Sequence, residues 1–163
     1  MKDGKEKNIK KTMPNEVMLT EVTRLIAEGR KVTFMVKGNS MNPFLRNGRD
    51  LIVLGPFTEA DLLPGAAVLA RETGSGRYVF HRIIARDGKQ LTLKGDGNLQ
   101  ETEDSTVDDV CGLLVAAVRN GRTYEATGRV WRLYSIWWMR LSWMRRLLLG
   151  ICHLKNNHKT IML

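Results

Sequence analysis

Between residues 31 and 119 the chain is a succession of short β-rich segments punctuated by glycine, proline or aspartate, and no fold built mainly from helices accommodates that order. Segment 31–37 alternates, with Val32, Phe34 and Val36 on one side. Segments 50–54, 66–71, 77–85, 90–94 and 111–119 follow, each bounded by turn formers. Gly74-Ser75-Gly76 and Asp87-Gly88-Lys89 read as hairpin connections, because glycine supplies the positive φ of tight turns. This pattern predicts a mainly β fold, a coiled antiparallel sheet with few helices.

Helical periodicity is confined to the flanks. Over 15–29, Val17, Met18, Val22, Leu25 and Ile26 recur at helical spacing, with Pro14 before them and Gly29 closing the run. Over 129–154 stand all four tryptophans, Trp131, Trp137, Trp138 and Trp143, with interspersed arginines and no acidic residue. Arg140, Arg145 and Arg146 interrupt what would have to be roughly 20 apolar residues in a bilayer span. A surface amphipathic helix suits the segment better. On a helical wheel Val130, Leu133, Tyr134, Trp137, Leu141, Met144, Leu148 and Ile151 share a face. That composition predicts docking on a membrane surface, the alternatives being the β domain or a second copy of the chain in a homo-oligomer. The expected organisation is a basic flexible arm over 1–13, a β domain over 14–128 and the tail helix over 129–163.

The formal charge of +9 is concentrated at the two ends. It permits an anionic membrane or nucleic acid as partner. The residues before Val32 hold one helix, too few for a helix-turn-helix, so nucleic acid is not expected. Cys111 and Cys152 stand far apart in unlike surroundings, and the histidines are scattered. Neither a disulfide framework nor a metal or other cofactor is expected. The N-terminal stretch lacks the apolar run of a secretory signal.

A serine nucleophile needs a neighbouring base and donors for the oxyanion. Gly38-Asn39-Ser40-Met41-Asn42-Pro43 offers a serine where a strand ends, His81 stands inside a strand as Phe80-His81-Arg82-Ile83, and Lys94-Gly95-Asp96-Gly97-Asn98 places an acid at a tight turn. Taken singly, each is more often structural than catalytic. In this order, Gly-x-Ser-Met-x-Pro, His-Arg-Ile and Lys-Gly-Asp-x-Asn resemble the signal-peptidase and LexA-like serine peptidase superfamily, most of all its serine–histidine branch of endoplasmic-reticulum and archaeal type. The resemblance covers roughly residues 32 to 118.

The resemblance implies a serine endopeptidase that cleaves a peptide or preprotein leader, with Ser40 as nucleophile and His81 as base. The acid then falls on Asp96 or just beyond it. The position where relatives carry a second acid is Thr102, with Glu101, Glu103 and Asp104 around it. Asp104 is preferred for orienting the histidine, because Asp96 at a glycine-bounded turn has a structural explanation of its own. Where relatives have Gly-Asp before two strands, this chain reads Gly48-Arg49-Asp50 and Gly65-Ala66-Ala67. A peripheral membrane location follows from the tail helix, with a cytoplasmic one as alternative. The rival reading is a catalytically inactive peptide-binding or regulatory module on the same fold.

Overall fold

The computed structural model describes residues 15–140 together with Leu147 and Leu149. The basic arm expected over 1–13, and the continuation of the tail helix through Leu141, Met144, Leu148 and Ile151, lie outside the described residues. Helix α1 (Asn15–Ala27) precedes β1 (Val32–Met35), β2 (Asp50–Gly55), β3 (Ala67–Arg71), β4 (Tyr78–Asp87), β5 (Gln90–Lys94), β6 (Glu103–Thr106), β7 (Val110–Arg119) and β8 (Arg122–Glu125). Helix α2 (Arg129–Arg140) follows. Gly29, at φ +83°, ends α1 in a Schellman arrangement, its N–H donating to Ile26 O and that of Arg30 to Leu25 O.

The strands form one curled antiparallel sheet in the order β1-β2-β7-β3-β4-β5-β6, with β8 on β7. Strand β7 is its spine. Leu113 pairs with both Gly55 and Val68, and Ala116 with both Val53 and Glu125. Strands β3 and β8 therefore share the edge of β7 opposite β2, parting around Leu114 and Val115. Register shifts in β2–β7, β3–β7 and β4–β5 bend the sheet and let it curl.

Two clusters make the core. In one, Val22 and Ile26 of α1 pack with Met41, Leu45, Ile52, Leu54, Leu114 and Trp131. In the other, Leu62 packs with Val68, Ile83, Leu91, Leu93 and Val110. A side chain at Gly112 would stand 2.6 Å from Ile26 Cδ1, so the bare backbone of β7 is what α1 lies on.

Helix α2 packs into this core through Trp131. Trp131, Ser135 and Trp138 are buried, whereas Val130, Leu133 and Trp137 are exposed. Of the face that the helical wheel singles out, only Tyr134 turns inward among the described residues. Counting apolar positions misses the buried side because that side is anchored by polar groups, Ser135 among them, as well as by aromatic rings.

Candidate active site

Ser40 follows β1 through a turn that needs glycine: Gly38 sits at φ +80°, where a Cβ would be strained. Beyond it the chain folds into a tight turn, with Asn42 N–H donating to Asn39 O at 3.1 Å and Leu45 N–H to Met41 O at 3.1 Å. The Asn42–Pro43 peptide is cis. Met41 and Leu45 point into the core and Ser40 stays half-buried above them. Among the described residues the Ser40 hydroxyl and N–H make no hydrogen bond, and none joins Ser40 to His81.

The Ser40 carbonyl is held by the 94–98 turn. Gly97 N–H donates to it at 2.7 Å, and a Cβ at Gly95 would stand 2.6 Å from the same oxygen and 3.1 Å from His81 Nε2. A Cβ at Gly97 would collide with Asn39 O. Both glycines are therefore required by close approach, and the space beside Gly95 is bounded by the Ser40 carbonyl on one side and the His81 ring on the other.

His81 lies in β4, one step before the Arg82–Lys94 pair, and so faces Gly95 across the ladder. Its ring is 7% exposed, and Nδ1 lies 2.8 Å from Glu103 Oε2. A carboxylate only accepts, so Nδ1 carries the proton of this bond, and Nε2 is the ring nitrogen that faces Gly95. Glu103 comes from β6, opposite Leu93, which is itself opposite Ile83. Side chains directly opposite share a face, as do those two apart on one strand, so His81, Ile83, Leu93 and Glu103 stand on one face of the sheet. With no side chain at Gly95, Glu103 reaches diagonally to the imidazole.

Asp104, the acid preferred from the sequence, is not brought to His81 by the structure. It pairs with Thr92, points to the opposite face from Glu103 and is exposed. Asp96 does not meet His81 either. Its carboxylate takes Arg82 Nε at 2.8 Å and Nη2 at 2.7 Å in a bidentate pair, and the Tyr134 hydroxyl at 2.7 Å. Both members of the pair are buried. Arg82 Nη1 donates at 2.7 Å to both Gly65 O and Ser135 Oγ, and the rings of Trp131 and Tyr134 lie 5.1 and 5.5 Å from the guanidinium. Burial acts to lower the Arg82 pKa, but the bonds to Asp96 outweigh it and the net shift is upward. Trp138 Nε1 donates to Asp96 O at 3.2 Å. Three residues of α2 thus hold the Arg82–Asp96 unit that backs the serine turn.

A second clamp holds the far side of that turn. Asp50, 1% exposed, accepts the backbone N–H of Arg46 at 2.8 Å and the guanidinium groups of Arg49 and Arg119. Both arginines also donate to Phe44 O. The Phe44 ring packs 5.1 Å from Trp131 and 4.8 Å from Tyr134, so α2 grips the serine turn here as well.

No family model, no curated protein and no solved structure matches this chain. The fold and the site therefore stand on the geometry above. Glu103 was visible in the sequence only as one of three acids near Thr102, and choosing it required the parity of a strand that composition did not announce. Among the described residues no group of three metal-ligating side chains converges. A cleft of about 500 Å³ opens under α2 between Gly65, Leu114 and Trp131, and neither Ser40 nor His81 lines it.

Proposed function

We propose that the chain is a serine endopeptidase of signal-peptidase type, in which Ser40 attacks, His81 serves as base and Glu103 orients the imidazole. The observation that carries the reading is the Glu103–His81 hydrogen bond at 2.8 Å, which leaves Nε2 facing the 94–98 turn that holds the Ser40 carbonyl. Catalytic hydrogen bonds in an unliganded serine enzyme tighten when substrate binds, which accommodates the unbonded Ser40 hydroxyl.

In the proposed reaction Ser40 Oγ attacks the scissile carbonyl carbon as its proton passes to His81 Nε2. The Ser40 N–H, which has no other acceptor among the described residues, donates to the developing oxyanion. The C–N bond breaks as the imidazolium returns the proton to the leaving amine, leaving an ester on Ser40. Water, deprotonated by the same nitrogen, hydrolyses that ester and frees the serine. Glu103 holds the tautomer throughout and stabilises the imidazolium. The substrate is a peptide or preprotein leader that enters in extended form beside the sheet.

The test is hydrolysis of a mixed peptide library read by mass spectrometry, with wild type, Ser40→Ala and His81→Ala matched for melting temperature. Cleavage should disappear in both variants, because nucleophile and base act as a unit. Cleavage that survives in either would overturn the assignment.

A further inference from the structure

The inner face of α2 is committed to the core, but its outer face has no partner. Leu133 is 56% and Trp137 62% exposed, and Val130 and Ile136 are exposed beside them. Arg129, Arg132 and Arg140 stand exposed on the same helix, and among the described residues none forms an ion pair with an acid. From residue 129 to 163 the sequence contains no aspartate or glutamate. Large apolar groups with a tryptophan, set among unpaired arginines, are the composition of a helix that lies in a lipid headgroup layer.

We propose that the outer face of α2 is a docking surface for an anionic lipid bilayer. Leu133, Ile136 and Trp137 enter the boundary between headgroups and acyl chains, and the arginines meet the headgroup phosphates. A second copy of the chain fits this face less well: a two-fold contact sets one patch against itself, and here that brings arginine to arginine with no acid on the helix to separate them. No helix among the described residues is long and apolar enough to cross a membrane, and the proposed attachment lays α2 in the plane of the surface. The inference is independent of the peptidase reading and is tested in the Ser40→Ala protein as well as in wild type.

The experiment is co-sedimentation of the full chain with vesicles of phosphatidylcholine alone and of phosphatidylcholine with phosphatidylglycerol. Wild type should bind the anionic vesicles in a salt-sensitive manner and the neutral ones weakly. Leu133→Gln/Trp137→Gln and Arg129→Gln/Arg132→Gln/Arg140→Gln should each weaken that binding by about tenfold or more. Near-ultraviolet circular dichroism, dominated by the buried Trp131 and Trp138, should be retained in both. Brominated lipid should quench wild-type fluorescence more than that of Trp137→Phe. Wild type that ignores anionic vesicles, variants that bind as wild type does because the segment beyond residue 140 holds the membrane, or a lipid-free dimer abolished by Leu133→Gln/Trp137→Gln would overturn the proposal.

Discussion

A carboxylate can steady a histidine only from the sheet face on which that histidine stands, and strand parity separates Glu103 from Asp104 by half a turn of the backbone. Glu103→Gln should lower kcat by about 10²- to 10⁴-fold at little cost in melting temperature, since the amide cannot stabilise an imidazolium. Asp104→Asn should leave turnover near wild type. Asp96→Asn acts differently: it leaves a buried arginine without its counter-charge and should destabilise the fold by about 3–5 kcal/mol. Peptide hydrolysis and thermal melts on the three variants separate these roles. Asp50 offers a pH test. Burial works to raise its pKa, but hydrogen bonds from Arg49, Arg119 and the Arg46 N–H prevail and bring it down to about 2, from 3.8. A carboxyl whose folded pKa is depressed contributes stability above its unfolded value and loses it as pH falls through the folded one. Between about pH 4 and 2 the protein should lose on the order of 2 kcal/mol through this residue alone. Asp50→Asn should be less stable at neutral pH and flatter across that window in urea titrations.

At the scale of elements, the strands with alternating or continuous apolar residues were readable, and β5 spans the segment expected of it. The two that escaped notice failed for different reasons. Strand β8 follows Asn120-Gly121, both at positive φ, a hairpin signal that was present but outweighed by the polar sequence of Arg122–Glu125. Strand β6 is an edge strand in which Thr106 alone has β propensity, and it forms because β5 supplies a ladder for it. Ser40, His81 and the Asp96 turn were legible as motifs. The acid that bonds His81 was not, because it rides on β6. Gly95 ties these elements together. Gly95→Ala should displace either the Ser40 carbonyl or the His81 ring, and we expect peptide hydrolysis to fall at least about tenfold while the far-ultraviolet circular dichroism stays that of wild type.

Across the whole molecule, α2 touches both halves of the candidate site, Phe44 beyond the serine and Asp96 beside the histidine strand. A chain ending at residue 128 should therefore not behave as a free β domain. It loses Trp131 from the core and exposes the Arg82–Asp96 pair, and the expected outcome is a melting temperature lower by many degrees together with dye binding to exposed apolar surface. A truncated chain that melts like wild type would show that the helix is an appendage. The position of α2 in the sequence has a temporal consequence. The ribosome delivers it after every strand of the sheet, so Ser40, His81 and Glu103 are all synthesised while the turn behind them still lacks Tyr134, Ser135 and Trp138. Until α2 seats, the nascent chain carries the candidate site on an unbraced support, and under the proposed peptidase reading hydrolysis should appear only as folding completes.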